Sequence, residues 1–239
     1  MTFEAVIFDM DGVLVDSEPL HFATTNAVLA RRGARIGRDF YDSRRGLPET
    51  DFFRDVVAHL GLAEAPAALA AERVRESLAA LAGTDLLPMD GALECLLLLR
   101  ADGRRLALAS SATRAQVALV ADKLGLRGVL SALVSVEEVA RGKPAPDLFL
   151  EAARRLRAAP AACLVVEDAV AGVQAARAAG MCAVALPAPG HDGQAHRAAG
   201  ALAVLASLRE LGPERLDQLW PLQKADGRPR GGGAHRQRQ

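Results

Sequence analysis

The stretch Ala5-Val6-Ile7-Phe8, followed at once by Asp9-Met10-Asp11-Gly12-Val13, constrains the fold more than any other part of this chain. Four apolar residues in a row, without polar alternation, describe a strand buried on both faces, as in a parallel sheet covered by helices on either side. The two acids then fall at the carboxyl end of that strand, where open α/β sheets bind their ligands. In extended geometry, side chains two apart leave the same face of the chain, so Asp9 and Asp11 point together. Gly12 lets the chain turn sharply behind them.

Three later segments supply partners for this acidic cup. The apolar run Leu106-Ala107-Leu108-Ala109 is followed by the hydroxyls of Ser110 and Ser111. Gly142-Lys143-Pro144-Ala145-Pro146 presents one lysine in a stiff, proline-framed loop ahead of a predicted helix. Leu164-Val165-Val166 ends in a second acid pair, Glu167-Asp168. Taken singly, each has an ordinary explanation as a turn, a helix cap or a solvated charge. Four such features at successive strand ends are not accounted for in that way. Together they offer a nucleophile, a hydroxyl, a cation and metal-binding carboxylates.

The βα rhythm is interrupted once. Residues 16 to about 84 read as helical, with helices near 17–32, 49–60 and 65–82. Alternation resumes from Pro88: helix 91–101, strand 105–109, helix 113–124, strand 132–135, helix 146–157, strand 163–166, helix 169–179 and strand 182–186, with Gly180 as a helix stop. The fold class predicted is α/β, a doubly wound parallel sheet of Rossmann-like type with an inserted small α-helical unit. The division is 1–15 and 86–222 for the α/β core, 16–85 for the helical insertion and 223–239 for a basic tail. That tail sets Lys224, Arg228, Arg230, Arg236 and Arg238 against Asp226, carries three consecutive glycines and has no apolar pattern, which predicts disorder. The crossings near 14–17 and 83–89 are the natural hinges, with Gly83 and Pro88 at the second.

Composition excludes several classes. The chain of 239 residues is 51% hydrophobic and 24% charged, enough for a substantial core. Its formal net charge is zero, which gives nucleic-acid binding no electrostatic support. No apolar run approaches the roughly 20 residues of a membrane span, and acidic Glu4 stands where a basic leader would begin. A cytoplasmic monomer without nucleic-acid or membrane partners is expected. Cys95, Cys163 and Cys182 are odd in number, lie among apolar residues and lack metal-ligand spacing, so they read as buried thiols. His59, His191, His196 and His235 show no ligand spacing and read as structural or exposed. The arginine-rich run at 153–158 reads as a solvated helix face.

The chain resembles the haloacid dehalogenase superfamily of aspartate-dependent phosphotransferases. All four motifs of that family stand in order as Asp9-Met10-Asp11-Gly12-Val13, Ser110, Lys143 and Glu167-Asp168. The likeness extends to Asp16-Ser17-Glu18-Pro19-Leu20-His21 and Ala169-Val170-Ala171-Gly172-Val173, and covers about residues 3 to 190. Within the superfamily the chain is most similar to the sugar-phosphate phosphatase and β-phosphoglucomutase branch. In that branch the helical segment is a cap over the active site.

The resemblance and the residues imply one chemistry. Carboxylates and phosphate esters are both anionic at neutral pH, so attack requires neutralisation by Lys143 and a divalent metal. The ligands on offer are oxygens, from Asp9, Asp168, Glu167 and the backbone carbonyl of Asp11, which suits Mg²⁺. Asp9 would attack phosphorus and carry an aspartyl phosphate, while Asp11 would protonate the leaving alkoxide and later deprotonate water. Ser110, with Ser111 and nearby backbone N–H groups, would hold the transferring oxygens, and Lys143 would offset charge in the transition state. By the resemblance, Ser17 touches substrate or assists Asp11, and His21 acts near the leaving group or couples cap closure to Asp11.

A mutase must also hold the distal phosphate of a sugar bisphosphate, and β-phosphoglucomutases carry a cap-loop arginine for it. Here Arg45-Gly46-Leu47-Pro48-Glu49-Thr50 aligns Glu49 with that arginine, although Arg44, Arg45, Arg73 or Arg75 could compensate from other positions. Hydrolysis of a phosphomonoester is the favoured reading and a phosphosugar mutase the alternative. A haloalkanoic dehalogenase would not need Asp11 together with a metal-binding acid pair. A phospho-accepting receiver domain would lack the helical insertion.

Overall fold

The computed structural model describes residues 2–44, 47–188 and 190–222. Six parallel strands form one sheet: β1 (Ala5–Phe8), β2 (Arg105–Ser110), β3 (Ala132–Ser135), β4 (Cys163–Glu167), β5 (Cys182–Ala185) and β6 (Ala203–Val204), in the order β3-β2-β1-β4-β5-β6. The chain builds outward from β1 to β3, then returns to start β4 on the other side of β1. The order therefore reverses beside β1, which places a crevice at its carboxyl end.

Period-two geometry divides the strand residues between two cores. Val6, Phe8, Leu106, Leu108, Leu164, Val166 and Val184 join one apolar cluster, with α5 (Ala92–Ala101) and α6 (Arg114–Lys123) packed on it. Ala5, Ile7, Ala107, Ala109, Val165, Ala183 and Ala185 join the other, under α7 (Asp147–Leu156) and α8 (Val170–Ala178). Every residue of β1 is buried, because both faces are covered.

Between β1 and α5 lie α1 (Glu18–Ala30), α2 (Arg38–Asp42), α3 (Glu49–Leu60) and α4 (Pro66–Gly83). Pro19 and Pro66 sit in the first turns of α1 and α4, where a missing N–H costs nothing. This insertion has an apolar cluster of its own, including Val28, Leu29, Tyr41, Phe52, Phe53, Val56 and Leu69. Phe53 is fully buried, and truncation to alanine there would cost about 3–5 kcal/mol. The two crossings run side by side: the Met89 N–H donates to the Leu14 carbonyl (3.0 Å), the Asp16 N–H to that of Leu87 (3.3 Å), and Val15 and Pro88 form an antiparallel bridge.

The expected helices and strands are present to within two residues at each end. Gly180 stops α8 as predicted: its φ is +74°, and the N–H groups of Gly180 and Met181 return to the carbonyls of Arg177 and Ala176 in a Schellman closure. Among the described residues, α2, α9 (Gln194–Ala198), β6, α10 (Pro213–Leu219) and four single-turn 3-10 helices were not expected. All three cysteines are buried, and burial pushes the Cys95 thiol up to about 12. Among the described residues no helix is long and apolar enough to cross a membrane. The predicted tail at 223–239, with His235, lies outside the described residues, as do Arg45 and Gly46.

Candidate active site

Register places the acids. Phe8 pairs with Leu108 and Val166, and the Asp9 N–H donates to the Val166 carbonyl (2.9 Å), so Asp9 emerges beside Ser110 and Glu167 at one sheet edge. The loop before α7 brings in Lys143, whose side chain is 4% exposed. Its Nζ donates to Asp9 Oδ1 (2.6 Å) and to Glu167 Oε1, and sits 5.2 Å from the Phe149 ring centroid. Glu167 is fully buried, with its second oxygen accepting from the Ala169 N–H (2.8 Å). A Cβ added at Gly172, one turn into α8, would come within 2.5 Å of Glu167 Oε2 and closer still to Oε1. Glycine there makes the space that Glu167 fills.

Burial would lower the Lys143 ammonium, but Asp9 and Glu167 hold it above its ordinary value. Burial pushes the Asp9 carboxyl up to about 7, with Glu167 and Asp11 adding to the rise and Lys143 opposing it. The cluster also carries a charge imbalance. Asp9, Glu167 and Asp168 offer ligand oxygens that all lie within 4.8 Å of one another. Three carboxylates against one ammonium leave two formal negative charges in a buried place, which a hard divalent cation with oxygen preference fits. The Asp11 carboxylate is not in this cluster; the ligand expected from Asp11 is its backbone carbonyl.

Asp11 is engaged on the other side. Its Oδ1 accepts from Ser17 Oγ and lies 3.0 Å from His21 Nε2. His21 Nδ1 is 2.9 Å from Arg73 Nη1, and a guanidinium can only donate, so Nδ1 accepts and Nε2 carries the hydrogen directed at Asp11. Arg73 also reaches Ser77 Oγ (3.3 Å) and grips Glu49 through Nη2 and through Nε (3.0 Å to Oε2). Burial alone would raise the Asp11 carboxyl. His21, by charge when protonated and by its hydrogen bond, together with Ser17 and Arg73, holds it below the usual carboxylate range.

A cavity of about 180 Å³ joins these groups, lined on the sheet side by Asp9, Asp11, Ser110, Ser111, Lys143 and Asp168 and on the insertion side by His21, Tyr41, Arg44, Glu49, Phe52 and Arg73. Ser110 is buried, with its Oγ accepting from the Ala112 N–H (3.0 Å), while Ser111 is half-buried. Ser17 is fully buried and bonded to Asp11, so of its two expected roles the contact with Asp11 is the one its position allows. Gly46 lies outside the described residues. Arg73, weighed above as a compensating cation, is instead bound to Glu49, and Arg75 is exposed and away from the cavity wall. Arg44 pairs with Asp55 (3.2 Å) and stacks on Phe40.

Sequence reasoning missed Ser77 altogether and did not find the partners of Arg73 and His196. Ser77 bridges His21 and Thr24. Arg73 has a structural partner that its sequence position does not reveal. His196 is buried and lies 2.7 Å through Nε2 from the Asp168 carbonyl. A signal existed only for Ser77 and Arg73, which are four apart on one face of α4.

Known proteins resemble this chain in sequence and in fold. A family model described as haloacid dehalogenase-like hydrolase matches residues 3–180. The chain is 31% identical over 226 residues to a β-phosphoglucomutase of Bacillus subtilis, covering 91% of this chain and 95% of that protein. It is 34% identical over 191 residues to hexitol phosphatase B of Escherichia coli, covering 77% and 84%. The structure superposes with a TM-score of 0.70 on a HAD family hydrolase of Deinococcus radiodurans solved with bound phosphate and sodium, at 31% identity, covering 92% of this chain and 97% of that one. With the four motif segments gathered at the carboxyl edge of a doubly wound sheet, and a matching model across most of its length, the chain belongs to the haloacid dehalogenase-like hydrolase family.

Proposed function

We propose that the protein is a Mg²⁺-dependent phosphatase that hydrolyses a small sugar or polyol phosphate through an aspartyl phosphate on Asp9. The cavity of about 180 Å³ lies below the range of pockets that hold drug-sized ligands, which supports a small substrate. Asp9, Asp168 and Glu167 would hold Mg²⁺, which would supply positive charge to phosphate oxygens as the nucleophile approaches. Two oxygens of Glu167 are already engaged by Lys143 and Ala169, so it serves chiefly to fix Lys143.

The protein's own residues carry the steps. Lys143, fixed by Asp9 and Glu167, offsets charge on the transferring phosphoryl group, with Ser110 and backbone N–H groups binding its oxygens. Asp9 Oδ attacks phosphorus, the P–O bond to the substrate breaks, and Asp11, ionised in the substrate-free site and protonated by the incoming phosphate monoanion, passes that proton to the departing oxygen. Asp11 then takes a proton from water, the resulting hydroxide attacks the aspartyl phosphate, and phosphate leaves with Asp9 restored. Ser17 and His21 hold Asp11 Oδ1 in position, and the helical insertion closes as a cap that excludes bulk water.

One observation supports a phosphatase over a mutase: Arg73, the buried cation at the insertion wall, is bound by Glu49 through two nitrogens. A second phosphate would meet a carboxylate whose partner is already committed. The test is steady-state phosphate release from a panel of sugar phosphates with Mg²⁺, including β-glucose 1-phosphate with and without glucose 1,6-bisphosphate. Net phosphate without isomer formation is the expected result. Glucose 6-phosphate formed without net phosphate would refute the phosphatase reading.

A further inference from the structure

We propose that His196 is a positioning residue for the divalent-cation site, acting through the backbone of Asp168; this rests on the reading of Asp9, Glu167 and Asp168 as that site. His196 belongs to the five-residue helix α9, which no motif reaches, yet its ring is buried and its Nε2 lies 2.7 Å from the Asp168 carbonyl. A carbonyl can only accept, so Nε2 donates, and among the described residues the ring makes no other hydrogen bond.

The consequence concerns one peptide unit. The Asp168–Ala169 peptide has its C=O held by His196 and its N–H held by Glu167 Oε2 (2.8 Å). With both polar groups clamped, the plane cannot rotate, and rotation of that plane is what would swing the Asp168 side chain relative to Asp9. Glu167 sets one side of the clamp from within the charged cluster. His196 sets the other from outside it, on an element seated against the sheet by its own contacts. Gly193, which precedes α9 at φ +71°, lies so close to Val204 of β6 that a Cβ there would come within 2.7 Å of its side chain. The ring position is thus fixed by β6 and transmitted to the acid pair after β4. Groups that orient a ligand-bearing residue typically alter metal affinity by 10- to 100-fold when removed.

The experiment measures binding directly, by Mn²⁺ electron paramagnetic resonance and Mg²⁺ calorimetry on the full chain, with the apparent Mg²⁺ half-saturation of phosphate release alongside. His196→Ala should bind the cation about 10-fold more weakly, with turnover at saturating Mg²⁺ within about 2-fold of wild type. His196→Gln, whose Nε2 can reach the carbonyl, should recover most of the affinity, and His196→Asn, which is too short, should not. These two variants carry the test if the alanine variant does not fold. Val204→Ala is the control, because it loosens the same segment without removing the donor. Equal affinities in the Gln and Asn variants would overturn the proposal, as would a loss in Val204→Ala matching that of His196→Ala. Absence of cation binding in the wild type would instead remove the reading of the site on which the proposal depends.

Discussion

Gly172→Ala separates two physical effects of opposite sign. Gly172 lies in the first turn of α8, where exchanging glycine for alanine ordinarily stabilises a helix by about 1 kcal/mol. Here the added methyl would overlap the carboxyl group of Glu167, which is fully buried and cannot move aside without releasing Lys143 and the Ala169 N–H. Breaking a buried pair by displacing one partner costs roughly 3–5 kcal/mol. The net destabilisation is then roughly 2–4 kcal/mol, which in a chain of this size lowers Tm by roughly 4–16 °C. Thermal unfolding followed by circular dichroism gives the first number. Phosphate release gives the second, and should fall by more than about 10-fold as Lys143 loses its alignment. In the Glu167→Ala background the same substitution should carry no such cost, because the space is already open. A Gly172→Ala protein as stable as wild type, or more stable, would mean that helix propensity alone operates and that Glu167 is not confined as described.

Asp11→Asn should lose most hydrolysis of sugar phosphates and much less of nitrophenyl phosphate, whose leaving group needs little protonation; equal losses in kcat on both would remove the acid role. Glu49→Arg should shift kcat/KM toward doubly phosphorylated ligands, and an unchanged preference would show that the Arg73 pair does not govern selection. Without metal, the folded-state pKa of Asp9, about 7, exceeds the unfolded value of about 3.9. The folded protein therefore binds the extra proton between those values, and stability falls as pH rises toward 7. In EDTA, Tm of the wild type relative to Asp9→Asn should decline between about pH 5 and 7 and flatten when Mg²⁺ is added; a relative Tm that rises over that window would contradict the burial-raised Asp9 carboxyl.

Central strands were legible because each is a continuous apolar run closed by a polar residue, a pattern that survives without knowledge of its neighbours. By contrast, β6 is two residues long and owes its strand geometry to pairing with β5, which no periodicity of its own can show. The five residues of α2 and of α9 are likewise too few for a helical stripe. Within the site, Asp9, Ser110, Lys143 and Asp168 were readable because side chains at strand ends converge. The pairing of Arg73 with Glu49 was not readable because the two lie on different helices, and pairing across helices is set by packing. His196 escaped because what it recognises is a backbone carbonyl, identical for every residue type.

The paired crossings at Val15 and Pro88 bear on how the chain reaches this structure. Closing a flexible loop of roughly 70 residues before the sheet could form would cost about 4 kcal/mol of chain entropy. The first and last helices of the insertion lie against each other, with His21 meeting Ser77 and Arg31 meeting Glu72, so its two ends are drawn together by contacts internal to it. Once those helices have paired, the sheet encounters the whole insertion as a short turn between β1 and α5, and its assembly proceeds at the contact order of an uninterrupted βα repeat.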